Sequence, residues 1–217
     1  INIKSINNKT VGMILEACDR YKLELHVFDA SNDLQIPTYV SVLLDRTGLG
    51  APISVGAKTG LRGEDAILGS VMESLMLRTW LRRLKGDGSQ AHTKISGIAR
   101  RALGWGNLQK INDLQFLLSA PISKKEIAPF RSNKKNELLR IVKMTEGHGY
   151  KIYYADITHP ELKKIGYLAY KAIIPGFQPL YLDERYKKYI NMHRLRQVAK
   201  FFGKENFSIN SIPHPFL

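Results

Sequence analysis

The chain has 217 residues, 44% of them hydrophobic, which is enough to bury a substantial core, so one globular domain is expected and two small ones stay possible. Its 33 Lys and Arg against 19 Asp and Glu leave a net charge of +14, a field that favours anionic partners such as nucleic acid, nucleotide phosphate or an acidic peptide. The single cysteine, Cys18, excludes an internal disulfide and a cysteine-rich zinc site and fits a reducing cytoplasm, and no apolar run approaches the roughly 20 residues of a membrane span. A soluble, cytoplasmic protein is the expectation. Ile1 to Lys9 lacks the charged start, apolar middle and small-residue end of a secretory signal, and with Ile in first place the chain reads as a processed chain or a fragment.

In chain order, Val11, Ile14, Leu15 and Cys18 recur at helical spacing, and Leu23 to Phe28 then alternates as a half-buried strand does. Thr38 to Asp45 and Pro52 to Lys58 are two further β-rich runs around the Gly48 and Gly50 turn, and they are expected to pair with each other. From Glu64 the period changes. Ile67, Val71 and Leu75 form one row and Leu68, Met72, Met76, Trp80 and Leu84 another, which predicts a long helix buried on most of its circumference. Glu64 and Asp65 suit its positive end, and Arg78, Arg82, Arg83 and Lys85 its negative end.

After the Gly86 to Gln90 break, Ile95 to Leu103 and Leu108 to Leu118 carry helical patterns, read together as a helical insertion over 87–131. Leu138 to Met144 predicts a helix that stops near Gly147 and Gly149. Lys151 to Asp156 predicts a strand, Pro160 to Ile165 a short helix, and Tyr167 to Ile174 a second strand. Met192 to Phe202 should be the last helix, capped by Gly203, followed by an extended tail over Ile212 to Leu217. The helix-strand-helix-strand order around Leu138 to Ile174 suggests an α/β element, whereas the strands before Glu64 suggest antiparallel pairing. The fold class expected is α+β, a mixed α/β sandwich.

No Walker-type phosphate loop is present, because Gly60 and Gly63 have neither the spacing nor the Lys-Ser/Thr ending. The six histidines are too far apart to make a helical ligand pair, so a local zinc motif is absent. The basic runs Arg78 to Lys85, Lys124 to Lys143 and Arg185 to Lys204 read first as solvated helix faces, with an anion-binding surface as the sharper alternative. Glu73 stands out. It shares a stripe with Gly69, Met76 and Trp80, where a buried carboxylate is costly unless paired, solvated or bound to a hard cation such as Mg²⁺. An ion pair with Arg78 or another cation is the plain alternative, and the metal-bound form places Glu73 at the floor of a polar cavity.

Four pieces in order carry a family resemblance. Ser54-Val55-Gly56-Ala57-Lys58 leads through Glu64-Asp65-Ala66-Ile67 and Val71-Met72-Glu73 to Arg78; then come Tyr153 to Thr158 with Gly166-Tyr167, Lys171 to Leu180 around Pro175-Gly176-Phe177-Gln178-Pro179, and the tail Ile212-Pro213-His214-Pro215-Phe216-Leu217. Over Leu23 to Leu217 this resembles the C-terminal part of the YcaO domain, the ATP-dependent peptide cyclodehydratases of azoline-forming type. The resemblance implies a YcaO-type sandwich that is incomplete without an upstream segment, with 1–217 as its C-terminal portion. It implies ATP and Mg²⁺ as cofactors, activation of backbone amides in ribosomally made peptides, and closure of thiazoline or oxazoline rings.

By the same resemblance Glu73 is the Mg²⁺ ligand, Lys58, Arg78 and Lys171 join it in binding the nucleotide, and Pro215 and Leu217 form a catalytic tail packed toward the active site, with the Leu217 carboxylate as proton acceptor. The implied partners are a ribosomally made precursor peptide, a leader-peptide-binding protein and a second polypeptide carrying the upstream part, with nucleic acid bound only non-specifically. There are departures from the family pattern. Met76 stands where a second polar ligand is frequent, Gly69 lacks the polar side chain often found there, Lys171 replaces a frequent Arg, and the last residue is Leu rather than Pro. Two rival readings follow: a degenerate YcaO-like scaffold that binds a peptide or partner without turning over ATP, and a basic nucleic-acid-binding domain.

Overall fold

The computed structural model describes residues 1–86, 97–122, 134–181 and 183–216. They fall into two compact units, one of residues 1–130, 181–188 and 208–217, the other of residues 131–180 and 189–207.

In the first unit, α1 (Lys9–Arg20) starts at Asn8, whose side-chain oxygen accepts from the N–H groups of Thr10 and Val11 and so satisfies donors that the first turn leaves open. Strands β1 (Leu23–Asp29), β2 (Thr38–Asp45) and β3 (Ile53–Thr59) follow as an antiparallel meander with β2 in the centre. The expected pairing of the second and third strands is present, with Val40 of β2 opposite Phe28 on one side and Ala57 on the other.

Both faces of β2 are covered, which explains its nearly continuous apolar run. On one face Val27, Tyr39, Ala66, Ile67 and Val71 form a core shared with α1 and with α2 (Gly63–Gly86). On the other, Val42, Leu44, Ile53 and Val55 pack with Trp105, Ile111 and Leu114.

Small residues set the depth at which α2 sits on the sheet. Ser41 Oγ donates to the carbonyl of Ser70 at 2.7 Å, and a Cβ added at Gly56 would lie 2.1 Å from that same carbonyl oxygen and 2.7 Å from the Ser74 nitrogen. Only glycine admits so close an approach of helix backbone to strand backbone. The long helix is as expected, but burial over most of its circumference is not. The Ile67 and Val71 row is sealed, whereas Met72, Met76 and Trp80 are exposed, because the sheet covers one side of the helix and no described residue covers the other.

Of the stretch 87–131, expected from the sequence to be a helical insertion, residues 97–122 are described and residues 87–96 and 123–131 lie outside the described residues. It contains α3 (Gly97–Gly104), a 3₁₀ turn (Leu108–Leu114) and α4 (Gln115–Leu118). The single helix expected over Leu108 to Leu118 is therefore split, with Asn107 capping the 3₁₀ turn through its bond from the Gln109 N–H. Tightening to 3₁₀ rotates Ile111 and Leu114 together onto the sheet, where both are buried.

The second unit holds α5 (Lys134–Gly147), β4 (Tyr153–Asp156), α6 (Pro160–Lys164), β5 (Tyr170–Ile173) and α7 (Met192–Phe201). Here the α/β expectation is corrected, since β4 and β5 pair antiparallel, Tyr153 opposite Ile173. A parallel crossover needs a dozen or more residues, usually with a longer helix, and the five-residue α6 only turns the chain back on itself. Gly203, at φ +66°, follows α7 as the expected cap, and Gly176 at φ +91° makes the turn between β5 and α7. That turn is tied to the start of α7, with the Asn191 N–H donating to Gln178 Oε1 at 2.7 Å and Asn191 Nδ2 to the Gly176 carbonyl at 2.8 Å.

Candidate active site

Glu73 sits on α2 beside the outer edge of the sheet. The Pro52 carbonyl accepts from Asp45 and the Gly60 N–H donates to Pro37, so the even-numbered backbone groups of this strand face β2 and the odd ones face outward. Ala57 is odd-numbered, and β3 is an edge strand. Its outward N–H donates to Glu73 Oε2 at 2.7 Å.

The cavity-floor expectation for Glu73 is corrected, because the residue is exposed. Glu73 lies on the flank of α2 at the β3 edge, its Cβ 2.9 Å from where a Cβ on Gly56 would stand, while Met76 and Trp80 turn away from the sheet, so the strand edge anchors the carboxylate without covering it. Nor does Glu73 pair with Arg78. Its Oε1 receives no hydrogen bond among the described residues, which leaves one hard oxygen available while the backbone amide holds the carboxylate in place.

Lys58 shares this surface. Its stem crosses α2 at Gly69, where an added Cβ would come within 2.8 Å of Lys58 Cγ. The glycine that departs from the family pattern thus makes room for a lysine stem, and the exposed Lys58 and Glu73 lie on neighbouring parts of the same helix-strand seam.

Arg78 is held by an acidic partner at the end of β2. Its Nη2 donates at 2.8 Å to Oδ2 of Asp45, whose side chain is 1% exposed. The other oxygen, Oδ1, accepts from the Thr47 N–H and hydroxyl. Burial is the largest single influence on the Asp45 carboxyl and pushes it up, but the hydrogen bonds from Thr47 and Arg78 with the Arg78 charge outweigh it and hold the group below the ordinary value. Gly50 packs directly over this pair; a Cβ there would stand 2.4 Å from Asp45 Oδ2. Asp45 escaped the sequence reading. Its one visible signal was a charged residue ending an otherwise apolar strand.

Lys171 belongs to the second unit, exposed on β5 opposite Ala155. The Asp156-Ile157-Thr158 motif of that unit closes a strand end. Asp156 accepts from the Thr158 N–H, and Thr158 Oγ1 accepts from the Ala169 N–H, both at 2.9 Å. Hydrogen bonding to Asp156 from the Thr158 side chain first, and then from the Thr158 N–H, holds its carboxyl below its usual range.

The tail is held in the first unit. Arg101 Nη1 donates to the His214 carbonyl at 3.1 Å, His214 Nε2 lies 2.7 Å from the Tyr181 carbonyl, and Ile212 and Phe216 pack on the Val42–Trp105 core. Pro215 lines a cavity of about 400 Å³ between this tail, the sheet and the 3₁₀–α4 segment. The expectation of an ordered tail holds for residues to Phe216. Leu217 lies outside the described residues, so its expected role has no structural description.

For Mg²⁺, the described residues contain no cluster of three His, Cys, Asp or Glu side chains. Mg²⁺ is commonly held by one or two carboxylates, waters and substrate phosphate, and an exposed, amide-anchored Glu73 fits one such ligand position. Among the described residues no helix is long and apolar enough to cross a membrane.

A family profile described as YcaO cyclodehydratase, binding ATP and Mg²⁺, matches residues 1–178. The chain belongs to the YcaO family. Among solved structures, a heterocyclase in complex with substrate and cofactor is similar over 100% of this chain and 28% of its own, at TM-score 0.76 and 21% identity. The heterocyclase TruD is similar over 82% of this chain and 23% of its own, with TM-score 0.55 and 20% identity. A chain of the E. coli microcin synthetase McbBCD complex is similar over 75% of this chain and 40% of its own, with TM-score 0.53 and 15% identity. At these identities the likeness is one of fold, and the chain spans 40% or less of each of those proteins. No curated protein matches significantly.

Proposed function

We propose that this chain is part of an ATP- and Mg²⁺-dependent cyclodehydratase that closes thiazoline or oxazoline rings in ribosomally made peptides, working with a precursor peptide and a leader-peptide-binding partner. The observation that carries the reading is the family match over residues 1–178, a span that includes Lys58, Glu73 and Lys171. A Cys, Ser or Thr side chain adds to the preceding amide carbonyl, and the amide oxygen then has to depart. ATP supplies the phosphoryl group that turns this oxygen into a good leaving group, so water is lost in the form of phosphate.

The chain's own residues bind and orient. Glu73, held by the Ala57 N–H, offers Oε1 to Mg²⁺. Lys58 and Lys171 contribute positive charge for phosphate, each as a point charge rather than a fork. Arg78, expected to join them, is tied to Asp45 through Nη2. Pro215, held in the ordered tail, is proposed to stand beside the reacting amide.

Replacing Glu73 by Gln in the full-length enzyme keeps the shape and the Ala57 bond but removes the charge. Peptide-dependent phosphate release should fall on the order of 100-fold, with the melting temperature unchanged. Undiminished turnover would overturn the assignment of Glu73.

A second reading, a binding scaffold without turnover, draws on Met76, which stands where a second polar ligand is frequent in the family pattern. It predicts no phosphate release from the wild-type enzyme with any Cys-containing peptide, together with retained peptide binding.

A further inference from the structure

The cavity beside the tail is unlike the rest of this basic chain. Its walls are Phe28, Val40, Trp105, Phe116, Leu117 and the Pro213–Phe216 segment, and its volume, about 400 Å³, lies at the small end of the range for ligand sites. No Lys or Arg lines it among the described residues, whereas Asp29 and Asp113 do. In a protein of net charge +14 this is the reverse of what a nucleotide phosphate requires. Asp113 is paired with Lys110 at 2.6 Å, which offsets its charge, so it is the aromatic and aliphatic walls, which gain by contact with an uncharged apolar group, that favour such an occupant.

We propose that this cavity is a side-chain subsite of the peptide-binding surface, taking one large apolar, preferably aromatic, residue of the substrate next to the residue that cyclises. The inference rests on the cyclodehydratase reading and adds a sequence preference to it. Three features select this occupant. The volume is ample for one large side chain, the rings of Phe28, Trp105 and Phe116 offer faces and edges for an aromatic group, and Pro215 forms part of the wall. A side chain seated there brings its own backbone alongside the tail proposed to act on the neighbouring amide. The tail is anchored for this, through the Arg101 and Tyr181 bonds to His214, so little ordering remains to be done when the peptide arrives.

The probes are acetyl-Gly-Phe-Cys-Gly-amide and acetyl-Gly-Ala-Cys-Gly-amide, with the full-length enzyme, read by calorimetry without ATP and by KM in phosphate release. The Phe peptide should bind at least about tenfold more tightly, the difference of burying one aromatic side chain. Ala30→Trp fills the cavity mouth from an exposed position and should abolish that preference while leaving the Ala peptide unchanged. Phe116→Ala removes a wall side chain that is 62% exposed, so it tolerates truncation; it should reduce the preference several-fold even if Ala30→Trp fails to fold.

Equal affinity for the two peptides, a preference untouched by both variants, or displacement of the Phe peptide by ATP without Mg²⁺ would overturn the subsite. So would concentration-dependent self-association that Ala30→Trp abolishes, since the cavity would then belong to an interface between copies. The two readings fail separately. Phosphate release with no Phe preference removes the subsite alone, and a Phe preference in calorimetry with no phosphate release removes the cyclodehydratase reading alone.

Discussion

Gly56→Ala should be the most damaging single-methyl change in the described chain, costing about 3 kcal/mol or more in denaturant unfolding of the full-length protein. The added carbon would lie 2.1 Å from the Ser70 carbonyl oxygen, 2.7 Å from the Ser74 nitrogen and 2.9 Å from Glu73 Cβ. Two of these atoms are helix backbone, which cannot rotate aside, so α2 would have to lift from β3. Lifting it breaks the bond from Ser41 to Ser70, opens the core at Ile67 and Val71, and pulls Glu73 away from the Ala57 N–H. Activity should therefore fall with stability.

Gly69→Ala is the control. Its Cβ meets only the flexible stem of Lys58, at 2.8 Å from Cγ, and alanine raises helix propensity by up to about 1 kcal/mol. Its stability should stay within about 1 kcal/mol of wild type. Equal losses at the two glycines would show that α2 does not sit on β3 at the depth described.

Asp45→Asn is expected to cost about 3 kcal/mol, because it leaves the Arg78 guanidinium, 17% exposed, without its counter-charge. The carboxyl of Asp45 is held below its ordinary value of 3.8 in the folded chain. A depressed carboxylate adds stability that is fully present above the unfolded-state value and is lost as pH falls through the folded-state value. The wild-type protein should therefore lose this contribution below about pH 4, and Asp45→Asn should show a shallower decline over the same window. Denaturant midpoints measured from pH 6 down to pH 3 decide it. Parallel pH curves for the two proteins would mean that Asp45 is not the titrating group, whatever the mutation costs at neutral pH.

The two changes act on different parts of the chain's logic. Gly56 governs how the Glu73 carboxylate meets the strand edge, whereas Asp45 fixes the middle of α2 against the end of β2. Phosphate-release assays on both variants at equal folded fraction separate them, since only the Gly56 change alters the surroundings of Glu73 directly.

Periodicity alone carried the elements. The rows on α2, the alternation in β1 and the glycine-bounded runs of β2 and β3 arise from short-range geometry, and each element stands where its pattern indicated. The family, too, was legible in local motifs, because Gly56-Ala57-Lys58 with Glu73, and the Pro175 to Pro179 turn, lie within a few turns of chain. What local pattern does not contain is which side of an element meets the rest of the protein. Both apolar rows of α2 satisfied the same helical period, yet the sheet sealed Ile67 and Val71 and left Met72, Met76 and Glu73 exposed. The antiparallel course of β4 and β5 depended on how far α6 could carry the chain. Arg78 became a partner of Asp45 across 33 residues, a pairing that depends on where β2 ends above α2 and that no spacing rule encodes. Likewise the tail was readable as extended from Pro213 and Pro215, but its cavity exists only because Phe28, Trp105 and Phe116, far apart in sequence, close around it. Local backbone preference determined the elements, and burial, a property of the assembled layers, decided which of their side chains were left for chemistry.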